Sequence, residues 1–202
     1  MKPICLNLGC GFNKQQSDDQ IQWVNVDAFS NCNPDVVHDL NTFPYPWEDN
    51  SIDGITAFHV MEHIPDWWGA FKECVRILKE DCEIEVRVPH PGSDTALAYR
   101  DHLHVINLAS FDGTLTGPER TSNAWFECQD KVPVRLVGYF LVPWRRYAWM
   151  PNWLLDWCSS HLRNFVWEQR MVFQKVDPVK YFEGEDDGMA NAIARILQKG
   201  TW

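Results

Sequence analysis

Short apolar runs, each closed by turn-forming or acidic residues, recur through the first half of the chain. Residues 5–8 (CLNL) end in Gly-Cys-Gly, 23–27 (WVNVD) end in an acid, and 35–40 (DVVHDL) reach a second acid. Residues 52–60 (IDGITAFHV) and 83–89 (EIEVRVP) follow. Runs this short and apolar predict strands buried on both faces. Between the last two, residues 66–79 space Trp67, Phe71, Val75 and Leu78 at helical intervals behind Asp66, a suitable N-cap. Strand, helix, strand in that order predicts a right-handed parallel crossover. The first crossover has only residues 9–22 to work with, about the dozen that such a connection needs. An abbreviated or irregular segment is therefore expected at Asn13–Gln22.

The second half has a different pattern. Residues 90–130 are loop-rich, while 134–142 and 166–176 predict two more strands. Between these, in residues 151–164, Trp153, Leu154, Trp157 and Leu162 can share a helix face. Two late strands after five parallel ones predict an antiparallel closure. In the tail, Met189, Ile193, Ile196 and Leu197 fall on one face of a helix that docks or serves association. The predicted fold is α/β: a three-layer, Rossmann-like sandwich with a seven-stranded, mostly parallel sheet and an antiparallel last strand.

Composition fits this pattern. The chain has 202 residues, 45% hydrophobic and 23% charged, as one soluble globular domain should. No run approaches the roughly 20 apolar residues of a membrane span. The opening MKPICLNLGCG runs straight into a strand with no signal-peptide layout, so a cytoplasmic location is expected. Seven cysteines, none in CxxC spacing, read as free thiols in a reducing compartment.

Charge changes the picture in one place. The net charge of −10 argues against a protein that grips a phosphate backbone. Residues 131–176, however, carry seven Lys or Arg against only Asp156 and Glu168, with Trp144, Trp149, Trp153, Trp157 and Trp167 among them. Arg145 and Arg146 beside these aromatics could hold an anionic or aromatic molecule, or could be solvated arginines over packed tryptophans.

The candidate chemistry sits at the strand ends. In LNLGCGFN (6–13) a strand runs into Gly9-Cys10-Gly11, which allows a sharp turn and close approach of a ligand to the backbone. Alone, that motif is equally a tight turn with no ligand. Asp27 closes the second run, where a carboxylate can accept hydrogen bonds from a ribose diol. Asp39 and Leu40 close the third, where an acid and an apolar side chain can meet an adenine edge and ring. Successive strand ends are where open α/β sheets bind ligands. The three together specify a nucleoside-bearing cofactor. A dinucleotide fits less well, because Gly11-Phe12-Asn13-Lys14 lacks the third glycine of that fingerprint.

At this point the chain resembles a known family. LNLGCG, WVNVD, HDLN, PYPWEDNSIDGITAFHVMEHI, ECVRILKE and EIEVRVP track the type 11 family of class I S-adenosylmethionine (SAM)-dependent methyltransferases over about residues 4–90. Length predicts a single domain over 1–202. Residues 1–90 would form the cofactor-binding half, 91–180 the acceptor-side half and 181–202 a C-terminal tail helix. The resemblance implies that Asn7, Leu8, Gly9, Cys10 and Gly11 line the methionine portion of SAM. Asp27 would hold the ribose, with Ala28 and Phe29 beside the adenine. Asp39 and Leu40 would meet the adenine edge, and Phe58 and His59 would close the pocket.

Two positions depart from the family. An acid is common where this chain has Asn7, and Asn13 stands for the third glycine. These departures keep open a catalytically inactive, methyltransferase-like binding or assembly module. Where methyl transfer needs a base, His63 is the candidate, with His59 and Glu62 nearby; a capping or packing histidine is the alternative. His102-x-His104 on an extended segment could serve a metal pair. Polar loop residues lining an acceptor pocket are the preferred reading, and no metal is expected. Phe58-His59-Val60-Met61 replaces the Asp/Asn-Pro-Pro-aromatic turn of adenine amino-methyltransferases. A small-molecule acceptor is favoured on charge, and a nucleic-acid-directed enzyme using residues 131–176 is the other alternative.

Overall fold

The computed structural model describes residues 2–111 and 132–177. Seven strands form one sheet in the order β3-β2-β1-β4-β5-β7-β6. They are β1 (Ile4–Leu8), β2 (Gln22–Asp27), β3 (Val36–Val37), β4 (Ile52–Phe58), β5 (Leu78–Pro89), β6 (Val134–Pro143) and β7 (Val166–Lys175). β1 to β5 pair in parallel, and β7 runs antiparallel between β5 and β6. The predicted sheet with its antiparallel last strand is the sheet observed. The predicted tail helix lies outside the described residues.

Helix α1 (Trp67–Ile77) begins as its sequence dictates, with the Asp66 carboxylate accepting from the Gly69 amide at 2.8 Å. Its apolar side packs Phe71 against Phe111 and Phe173, ring centroids 5.1 and 5.3 Å away. All three rings are buried. Burial of side chains this size contributes roughly 1.5–3 kcal/mol each, and the edge-to-face contacts add to it. This cluster joins α1, the 108–111 turn and β7.

The other face of the sheet is polar. Between β1 and β2 the described chain has no helix, as the short crossover requires. Extended residues 13–15 take its place, held by two buried asparagines. Asn7 Nδ2 donates to the Asn13 carbonyl and to Asn25 Oδ1. Asn25 Oδ1 accepts from the Gln15 amide, and Asn25 Nδ2 donates to the Gln15 carbonyl and to Asp35. The Asn25 side chain thus makes four hydrogen bonds, as many as a primary amide can. Further along this face, Glu85 takes hydrogen bonds from Arg87 and Arg170.

Two expectations shift. The third strand is Val36–Val37 rather than 35–40. The His38 amide still reaches the Asp27 carbonyl, but Asp39 then turns the chain by accepting from the Asn41 amide. The second helix of the late segment, α3 (Asn152–His161), follows α2 (Asp94–Ala98) and buries Leu155 and Cys158. Trp153, at 72% exposed, and Trp157 do share a face, but it is the solvent face.

The connection from β3 to β4 has no helix but is firmly tied. Arg76 of α1 donates to the Tyr45 and Trp47 carbonyls and pairs with Glu73 and Asp49. The buried Tyr45 hydroxyl donates to the Leu40 carbonyl. These bonds hold Asp39 and Leu40 at the carboxyl ends of the strands.

Candidate functional site

The turn after β1 has Gly9 at φ 63° and Gly11 at φ 48°. Gly9 is held to glycine twice over. Its φ lies in the left-handed region, and a Cβ there would meet Val60 Cγ2 at 2.3 Å. At Gly11 only conformation matters, since nothing lies within 4 Å of such a Cβ.

Asp27 is 8% exposed at the end of β2. Its Oδ2 accepts from the Gly11 amide at 2.8 Å and its Oδ1 from the Phe29 amide at 2.9 Å. The backbone therefore fixes the carboxylate while each oxygen keeps a second acceptor site. Beside it opens a cleft of about 750 Å³ lined by Gly9, Asp27, Ala28, Phe29, Asp39, Leu40, His59, Val60, His63, Ile64, Asp101 and Leu103. Its size falls in the ordinary range for small-molecule sites.

Most of the residues singled out in the sequence meet here. Five do not line the cleft; one is Gly11, whose amide instead donates to the Asp27 carboxylate beside it. Leu8 is wholly in the core, and Asn7 is committed to the asparagine network. Phe58 lies under Arg87, whose guanidinium carbon is 4.0 Å from the ring centroid. Cys10 is buried, and burial, then the nearby Asp27, push its thiol up to about 11. It stays a neutral thiol. The cleft also recruits Val60 and Ile64 after β4 and Leu103 from the segment that crosses above, none of them foreseen, together with Asp101 of the same segment, a polar loop residue expected at an acceptor pocket. That segment is docked by the Leu103 and His104 amides, both donating to the Glu62 carbonyl, and by Gln169 donating to the Ile106 carbonyl.

A second pocket of about 400 Å³ adjoins the first and shares His59, His63 and Asp101 with it. Glu62, Pro89, Thr95, Tyr99, His102 and Trp167 complete its lining. His59 sits between the two pockets in a left-handed conformation, φ 51°. Its Nε2 lies 2.6 Å from Glu168, its Nδ1 lies 3.4 Å from Glu62, and its ring stacks on Trp167. Burial by itself disfavours the charged ring. The Glu168 carboxylate, hydrogen-bonded to Nε2, and the Glu62 carboxylate beside Nδ1 outweigh it and raise the pKa to about 9. His59 is thus an imidazolium at neutral pH and has no lone pair to act as a base. His63 differs, for its Nδ1 lies 2.9 Å from the Asp101 carbonyl. That places the proton on Nδ1 and leaves Nε2 as an acceptor. His102 and His104 do not act as a pair. His104 turns to the Pro65 carbonyl, while the His102 ring lies edge-on to His63 with centroids 4.8 Å apart. His90 is held neutral by burial, and its Nδ1 accepts from the Gly92 amide.

A sheet in this order, with a glycine turn, an anchored acid and a cleft at its carboxyl edge, is the Rossmann-like fold of class I methyltransferases. Similar solved structures carry the same fold. A SAM-dependent methyltransferase from Archaeoglobus fulgidus is 12% identical, with 86% of each chain covered and a TM-score of 0.54. The YcgJ protein of Bacillus subtilis is 13% identical over 87% of this chain and 93% of that one, with a TM-score of 0.54. Phosphoethanolamine N-methyltransferase 2 of Haemonchus contortus, in complex with SAM, is 14% identical over 87% of this chain and 49% of that one, with a TM-score of 0.56. No curated protein sequence matches. Residues 6–84 match the model of a family described as Methyltransferase domain.

Proposed function

We propose that the protein is a SAM-dependent methyltransferase acting on a small-molecule acceptor. The observation that carries the reading is the Asp27 carboxylate, buried and pinned by two backbone amides at the mouth of the larger cleft. Such a group is preorganised to accept from both hydroxyls of a ribose. Gly9 and the turn behind it would border the methionine part, while Ala28, Phe29 and Leu40 give the adenine ring apolar surface and Asp39 its amino group an acceptor. Bound there, the cofactor supplies an electrophilic methyl group on a sulfonium.

The chain's own task is then alignment, which is worth several kcal/mol of a barrier when reacting atoms are held in contact. The smaller pocket is suited to the acceptor, because it meets the cofactor cleft at His59 and His63. The His59 imidazolium, fixed by Glu168 and Glu62, would orient an acceptor by donating to it or by excluding water from the junction. His63 Nε2 is free to accept a proton from an acceptor hydroxyl or amine. Asn7 leaves the family's usual acid missing, yet its amide holds the glycine turn through Asn13, so the turn survives that change. Among the described residues no helix is long and apolar enough to cross a membrane. We place the enzyme in the cytoplasm on the sequence alone.

The test is formation of S-adenosylhomocysteine when the protein and SAM are supplied with pools of small amines, carboxylic acids and hydroxylated compounds, and separately with RNA. Acceptor-dependent turnover with a small-molecule pool supports the reading. Turnover with RNA alone would move the assignment to the basic segment 131–176. SAM binding with no turnover on any pool would favour the binding-module alternative.

A further inference from the structure

We infer that the smaller pocket holds a divalent transition-metal ion, bound by the carboxylate of Glu62 and the imidazoles of His63 and His102. One ligand atom from each of these residues lies within 4.8 Å of the others. That is a spacing which small side-chain rotations convert into a shared coordination sphere. Glu62 and His63 are consecutive in the one-turn helix after β4. His102 comes from the facing segment, which is hydrogen-bonded to the Glu62 carbonyl through the next two residues. The backbone that brings the three together is therefore fixed.

Two independent observations point to a ligand. First, Glu62 is 1% exposed, yet neither carboxylate oxygen accepts a hydrogen bond. Its nearest cationic neighbour is His59 Nδ1, at 3.4 Å. The His59 imidazolium offsets the charge at that distance, but the buried carboxylate keeps unused lone pairs, which a metal ion would take up. Second, both histidines face a backbone carbonyl through Nδ1: His63 with Asp101 at 2.9 Å and His102 with Ala96 at 3.4 Å. A carbonyl can only accept, so each ring carries its proton on Nδ1 and offers the Nε2 lone pair. This outer hydrogen bond is the usual mark of a metal-ligating histidine. Glu62, Glu168 and Asp101 outnumber the one imidazolium at this corner, His59, which favours a further cation there.

Two imidazoles and one carboxylate suit zinc, iron(II), manganese(II) or cobalt(II) and leave positions open. The open side faces the acceptor pocket. The ion would bind an acceptor oxygen or nitrogen and lower its pKa, replacing direct proton transfer to His63. For this role the inference rests on the methyltransferase reading; for binding it does not.

The test is a titration of chelator-treated full-length protein with Co(II), followed by visible absorption, on wild type, Glu62→Gln and His102→Ala. The same samples are titrated with SAM, whose cleft includes neither Glu62 nor His102. The expected result is one-to-one Co(II) binding without a thiolate charge-transfer band, weakened about tenfold or more in both variants while SAM binding is kept. Should Glu62→Gln fail to fold, His102→Ala decides alone. No one-to-one binding, equal binding by His102→Ala, or a thiolate band overturns the site. Metal binding without SAM binding sinks the methyltransferase reading and leaves the metal site standing.

Discussion

His59 Nε2 lies 2.6 Å from Glu168 Oε2. The histidine directly follows β4 and the glutamate lies near the start of β7, with β5 between the two strands. One hydrogen bond thereby ties the family-like half of the chain to the later half, at the junction of the two pockets. It also sets the ring's charge, and so its chemistry.

A first prediction follows from that charge. In chelator-treated protein, NMR titration of the His59 ring gives a pKa near 9 rather than the ordinary 6.5. Glu168→Gln returns it toward the ordinary value. The folded-state pKa is raised, so the stabilisation is complete below about 6.5 and is lost as pH rises through about 9. Wild-type stability should therefore fall between these values more steeply than that of Glu168→Gln. A wild-type ring titrating at 6.5 removes the argument against His59 as a base.

The two glycines of the turn should respond unequally. Gly11→Ala meets only the left-handed backbone, a cost of about 1–2 kcal/mol. Gly9→Ala meets the same cost and collides with Val60 as well. Denaturant unfolding should rank Gly9→Ala the more destabilised, and a Val60→Ala background should recover part of the difference. Equal losses would mean that Val60 is not in contact.

Asn25→Ala removes four hydrogen bonds and leaves the buried Asn7 amide and the Gln15 backbone short of partners. A cost of about 1–3 kcal/mol for each buried group left unpaired is usual. Hydrogen exchange should rise locally at residues 13–17. Protection that stays unchanged there contradicts the view that this network stands in for a crossover helix.

Phe71→Ala opens a hole between α1, Phe111 and Phe173. A loss of about 3–5 kcal/mol is expected, measured by chemical denaturation. A loss below 1 kcal/mol would place the joining core elsewhere.

How much of this was legible in the sequence depends on the range of the signal. Gly9, Asp27, Asp39 and Leu40 each end an apolar run, and the parallel order puts such ends side by side. Asp66 announced its helix by capping it. Glu168, Trp167, Asp101 and Leu103 gave no such signal, because they reach the site only through the antiparallel placement of β7 and the docking of residues 99–106. One clue to Glu168 existed, an acid inside the apolar run VWEQRMVF, where burial demands a partner. The third strand was over-extended because DVVHDL has strand-like composition, while the Asp39 turn that ends it depends on a side-chain hydrogen bond. Trp153 and Trp157 were correctly grouped on one face. Periodicity cannot say which face meets the protein, and here Leu155 and Cys158 do.

The central claim is that Asp27 anchors a SAM site, and calorimetric titration tests it most directly. Wild type and Asp27→Ala are titrated with SAM and with S-adenosylhomocysteine. The account predicts one-to-one binding by wild type and a loss of about tenfold or more in the variant, or about 1.4 kcal/mol, with the fold intact. A well-folded wild type that binds neither ligand, or a variant that binds as tightly as wild type, would contradict it.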